Sequence, residues 1–147
     1  MSLTRDDVRQ GIFGVSDGAA TTIGAMFGLY ASGHRAAILV ATLAAGLSAT
    51  ESMGAGEYLS DDSSSVHRAL AMATGTAIGG ILPAIPFALG RGLLNLVAAA
   101  ALTGALGAWV AEERAKAPTL SRARAYAQVL PVFVVVATST YLLGILL

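Results

Sequence analysis

The stretch GLSATESMGAGEYLS, residues 46–60, is small and apolar at most positions, as a helix in lipid should be, yet it carries Glu51, Met53 and Glu57. On a helix, Met53 and Glu57 are four residues apart and share a face, with Ala49 and Thr50 one turn away and Gly54 and Gly56 leaving room for another backbone. Glu51 sits about 160° round from Met53 at 100° per residue, so it points elsewhere. No charged residue lies between Arg35 and Glu51. Ionisable groups that deep in an apolar run usually face a bundle interior or a wet path. For Glu57, nearer the end of the run, a carboxylate reaching water at the membrane exit is the plainer alternative.

Working outward, the composition sets the solvent. Of 147 residues, 55% are hydrophobic and 12% charged, and the mean hydropathy of +0.70 lies outside the soluble range. These values describe an integral membrane protein. Nine basic residues balance nine acidic ones, with no basic tract to neutralise a run of phosphates, which excludes nucleic acid as a partner. There is no cysteine, so disulfides, thiolate metal sites and thiol redox motifs are excluded together.

Five apolar spans follow one another in a single transmembrane domain over 1–147: about 12–31, 36–59, 69–89, 92–111 and 126–147. Each is about 20 residues, the length that crosses a hydrocarbon core of about 30 Å. Asp17 within the first apolar run, and that run's length, weigh against a cleaved signal peptide. On a helix, Asp17, Thr21, Gly24 and Gly28 form one small, polar stripe. Gly24 with Gly28 and Gly75 with Gly79 are GxxxG pairs that admit a close neighbour. His34 reads as a solvated loop residue. Ser and Asp in 60–65 read as a capping link, while Pro83 and Pro86 should break the third span near its end. The fourth span reads as scaffold with Trp109 at an interface, and the hydroxyls of 138–141 read mainly as bonding back to their own backbone.

Counting Lys and Arg between the spans gives seven on the N-terminal side of the membrane against Arg35 and Arg91 on the other, which predicts N-in, C-out. Asp17 and Glu57 then fall in the cytoplasmic halves of their spans, where they could meet. No Lys or Arg lies inside a span to pair with Asp17, Glu51 or Glu57. Unpaired carboxylates in low dielectric stay protonated or hold a cation. Carboxylate oxygens beside a thioether suit a transition ion such as Fe²⁺ or Mn²⁺ better than Mg²⁺ or Ca²⁺. The expected metal site is Asp17, Met53, Glu57 and Glu51, with Thr21, Ser52 and Thr50 as pore-lining candidates. Helices with small-residue faces enclosing a wet path predict a homodimer.

These residues resemble the vacuolar iron transporter family, whose first helix has a G-x-x-D-G motif and whose second ends in S-M-G-x-G-E-Y-L. Here they stand as Gly14-Val15-Ser16-Asp17-Gly18 and, from Ser52 to Leu59, SMGAGEYL. The third span's GTAIGGILPAIPF is also similar. The resemblance implies a homodimer with a path between subunits, Asp17 and Met53 binding a divalent metal, and proton exchange driving export of ferrous iron from the cytoplasm. It implies no enzyme activity and no resident cofactor, with iron or manganese as cargo, in what would be a prokaryotic cytoplasmic membrane.

Two features depart from the family. Ala45 stands where members commonly carry a Glu eight residues before the Met, and an acid appears instead at Glu51. Eight residues, 61–68, replace a long Glu-rich cytoplasmic segment that gathers metal, a function that a soluble delivery partner would then supply. A small multidrug-type cation exporter and a non-transporting scaffold subunit are the other classes open. Drug export usually wants aromatic side chains around a bulky cation, and few lie near these acids. A scaffold needs no buried acid at all.

Overall fold

A computed structural model describes residues 4–60, 65–118 and 120–147 of the chain. All regular structure among them is helical: α1 (Arg5–Ala31), a 3-10 turn (Arg35–Ala37), α2 (Ile38–Leu59), α3 (Val66–Ile81), a second 3-10 turn (Leu82–Ala84), α4 (Pro86–Leu89), α5 (Leu93–Ala115) and α6 (Arg122–Leu146). With α3, its 3-10 turn and α4 taken as one span, five helices are long and apolar enough to cross a membrane. The five-span, all-helical architecture expected from hydropathy is therefore present.

Helices α1, α3, α5 and α6 overrun the apolar spans at the ends assigned to the cytoplasm, while α2 ends at Leu59 as its span does. The polar lead-in before residue 12 is the first turns of α1, started by a capping box in which Thr4 accepts from the Asp7 N–H while Asp7 accepts from the Thr4 N–H. Ser65 and Ser121 cap α3 and α6 in the same way, each accepting the N–H three residues on. The charged stretch between the fourth and fifth apolar spans is shorter as a connection than the spans imply, because α5 runs on through Glu112 to Ala115. Its charges then meet across two helices: Arg122 donates to both Glu112 carboxylate oxygens through Nε and Nη2, and the Tyr126 hydroxyl donates to Oε1. The prolines act as expected, α3 ending before Pro83 and a short α4 starting at Pro86.

Helix α1 is the hub, touching α2, α3, α5 and α6. Its contact with α3 is backbone against backbone, because glycines alternate across it. Gly14 and Gly18 lie on Met72 and Thr76, while Gly75 and Gly79 lie on Gly11 and Val15, so closely that a Cβ at any of the four would overlap main-chain atoms. Gly24 and Gly28 do the same work more loosely against Val136 and Thr140 of α6. Within this core the buried Thr22 hydroxyl donates to the Gly80 carbonyl across helices at 2.9 Å. Thr42, Thr76 and Thr103 donate to carbonyls one turn back in their own helices. No buried side-chain polar atom among the described residues lacks a partner. The GxxxG surfaces are thus spent inside the chain, so a reason for a second copy has to come from another surface. That reason comes from α2, which packs on one side only.

Candidate functional site

The inner side of α2 is the Met53 side, as its spacing predicts. Ile38, Thr42 and Gly46 are buried, Thr50, Met53, Gly54 and Glu57 are half-buried, and Gly54 rests on Ala73 and the Ala69 carbonyl of α3. The opposite side carries Val40, Leu47, Glu51, Ser52 and Leu59, all exposed, with Val40 71% and Leu59 79% open. The helix is continuous from Ile38 to Leu59. No unwinding at Gly54 or Gly56 brings Glu51 to Met53's face, so the two belong to different surfaces.

Depth can be read from glycine contacts along α3. Antiparallel α2 places Gly54 beside Ala73 and Gly46 beside Gly80, which brings Met53 and Glu51 level with α3 residues 74–76. Parallel α1 places Gly14 beside Met72 and Thr76, and Gly18 beside Thr76 and Gly80, which brings Asp17 level with residue 77. At 1.5 Å per residue, Asp17, Met53 and Glu51 share a level to within about 5 Å, and Glu57 lies nearer the end that carries the link by about 6 Å from Met53 and about 10 Å from Asp17. The sequence expectation that Asp17 and Glu57 could meet is therefore corrected: they occupy different depths. Asp17 is half-buried and makes no hydrogen bond or ion pair with a described residue.

Glu57 is also not unpaired. Arg68 Nε stands 3.6 Å from its Oε1, with the two side chains 22% and 10% exposed. Arg68 lies outside the apolar spans, but the Ser65 cap starts α3 at Val66 and puts Arg68 in its first turn, within reach of Glu57. A sequence signal existed. An acid in the last turn of α2 and a base in the first turn of α3 both oppose their helix dipoles, an arrangement that makes sense when the two offset each other across the connection. We expect Glu57→Gln and Arg68→Gln each to lower stability in detergent by up to about 1 kcal/mol, and the exchange Glu57→Arg with Arg68→Glu to recover most of it. Chemical denaturation of the three variants checks this, and additive losses in the exchange would dismiss the pair.

Of the pore-lining candidates, Thr50 donates to the Gly46 carbonyl at 2.8 Å and Ser52 to the Ala49 carbonyl at 3.1 Å. Both hydroxyls keep acceptor lone pairs. Thr21 is half-buried on α1. His34 is exposed and shares a hydrogen bond with Ser32 in its loop, as expected of a solvated residue. Ser139 and Thr140 bond back to α6 carbonyls, also as expected. The expected caps of the link 60–65 resolve to Ser65, residues 61–64 lying outside those described.

Among the described residues, no three of the His, Asp and Glu side chains gather in a way that could hold a metal ion within one chain. Asp17, Glu51 and Glu57 are not a single cluster. What one chain offers is a carboxylate and a thioether at one level on neighbouring helices, with a second carboxylate at that level facing outward. No curated protein and no solved structure matches the chain. A model of the VIT family does match, over residues 8–66, which takes in most of α1, all of α2 and the first residue of α3, and so both motifs read above; over that part the chain is similar to the vacuolar iron transporter family.

Proposed function

We propose that the protein exports divalent transition ions, Fe²⁺ or Mn²⁺, from the cytoplasm in exchange for protons, as a homodimer oriented N-in, C-out. The observation that carries this reading is the shared depth of Asp17, Met53 and Glu51 within an apolar bundle. Within one chain no three His, Asp or Glu side chains gather among the described residues, and a second copy apposed through the outward side of α2 brings its own Glu51 to the same level. Asp17 and Met53 then hold the ion, oxygen and thioether donors together favouring Fe²⁺ or Mn²⁺ over harder cations. Thr21, Thr50 and Ser52 offer neutral oxygens along the way. Glu57, held by Arg68, is an entry carboxylate at the cytoplasmic end rather than part of the deep site.

Exchange follows from linkage. A carboxylate ligand binds metal only when deprotonated, so protonation from the far side releases the ion and loss of that proton to the cytoplasm reloads the site. No step needs a resident cofactor or covalent chemistry, in keeping with a family of transporters rather than enzymes. The test is Mn²⁺-dependent thermal stabilisation of purified protein together with Mn²⁺ flux in proteoliposomes. Asp17→Asn and Met53→Ala should each weaken Mn²⁺ binding by about tenfold or more, near 1.4 kcal/mol, while His34→Ala leaves it unchanged. Stabilisation by bulky organic cations and not by Mn²⁺ would move the protein to the multidrug class. Equal affinity in all three variants would remove Asp17 and Met53 from the site.

A further inference from the structure

On the side of α3 away from α2, a groove of about 430 Å³ opens between α1, α3 and α5. Ala69 and Ala73 turn toward α2, whereas Leu70, Ala71, Thr74 and Ile78 line the groove, centred about 140° round the helix at 100° per residue. A dimer formed through the outward side of α2 therefore leaves the groove open. Its other walls are Ile12 and Val15 of α1 and the indole of Trp109 on α5. Asp7, His67 and Glu113 stand together at one end only, the end of the bundle assigned to the cytoplasm.

Length and polarity both identify an occupant. From Asp7 to Val15 along α1, and from His67 to Ile78 along α3, the groove runs about 12 to 17 Å at 1.5 Å per residue. Half of a hydrocarbon core of about 30 Å is about 15 Å, so the groove is one leaflet deep. Its charged end falls where headgroups begin, and Trp109, one turn from Glu113, sits at the level an indole prefers. The charges at that end suit a zwitterion. The Asp7 and Glu113 carboxylates offer acceptors to an ammonium group, and His67 offers a donor to a phosphate. Lys116, which holds Glu113 at 2.7 Å, is itself 70% exposed and leans into solvent, so it does not close the mouth.

We propose that this groove is a specific phospholipid site, holding one acyl chain against α1, α3 and α5 with a primary-ammonium headgroup at Asp7, Glu113 and His67. The site is independent of metal transport and is read without it. Native mass spectrometry of the purified chain, offered phosphatidylethanolamine and phosphatidylglycerol of identical chains, should show one ethanolamine lipid retained per chain with about tenfold preference, near 1.4 kcal/mol. Ala71→Phe fills the groove and should abolish retention. Glu113→Lys, a change in the last turn of α5 that leaves the apolar walls intact, should retain lipid but turn the preference toward the glycerol headgroup. Absence of a retained lipid, retention untouched by Ala71→Phe, or equal binding of both headgroups by the unaltered chain would each overturn the proposal. So would disulfide cross-linking of Ala71→Cys chains in the membrane, which would mean that a second copy covers the groove.

Discussion

Gly18→Leu is expected to cost about 3 kcal/mol or more, enough to leave little folded protein in detergent. A side chain at Gly18 meets the Thr76 carbonyl and the Gly80 amide directly, and neither can move without separating α1 from α3. That contact locates the Thr22 to Gly80 hydrogen bond and the level of Asp17, so its loss propagates to the site. Without a hydrophobic driving force between helices in lipid, close packing is much of what holds them together, and a forced gap forfeits it outright. Gly104→Leu is the matched control. Nothing lies within 4 Å of a Cβ there and the position is exposed, so the substitution should be neutral or improve stability by up to about 1 kcal/mol through helix propensity. Unfolding in a denaturing-detergent titration distinguishes them, and equal stability of the two variants would refute the backbone-to-backbone contact.

Glu51→Gln is expected to reduce metal flux by about tenfold or more and to flatten its pH dependence, while the protein stays folded and dimeric. In a single chain Glu51 is exposed midway along α2 among Val40, Leu47 and Leu59, where a carboxylate facing lipid costs on the order of 3 kcal/mol. In the proposed dimer a second copy against that face would remove the cost. Two Glu51 carboxylates brought near a two-fold axis cannot both ionise cheaply, so the pair shares a proton or holds a cation. Gln keeps the shape and hydrogen bonding of Glu and cannot carry the charge. Flux that keeps the same pH profile in Glu51→Gln would make the residue structural and leave the path to Asp17 and Met53. Mass measurement of the same preparations in detergent, if it found only monomer, would count against the axis outright.

The amino-acid sequence by itself determined the solvent, the number of spans and the faces of α2, because these depend on local quantities. Hydropathy summed over about 20 residues decides whether a segment enters lipid, and a period of 3.6 decides that Met53 and Glu57 point together while Glu51 points away. It also carried the two motifs on α1 and α2 that the VIT family match spans. Helix ends were less legible, since apolar runs end before the helices do. Thr4, Ser65 and Ser121 caps extend them into charged sequence, and from that extension come the Glu57–Arg68 and Glu112–Arg122 pairs.

Only the tertiary structure decided which surfaces the small residues serve and how deep each acid lies. A GxxxG pair states that a helix approaches closely but not which helix, and here Gly75 and Gly79 meet α1 while Gly24 and Gly28 meet α6 of the same chain. Depth depends on how helices slide past one another, which is settled by backbone contacts such as Gly54 on Ala73 and Gly18 on Thr76. Those contacts put Asp17, Met53 and Glu51 at one level and Glu57 at another. A spacing along one helix holds no information about the register between helices, because register is set by the sum of contacts with chain far away in sequence.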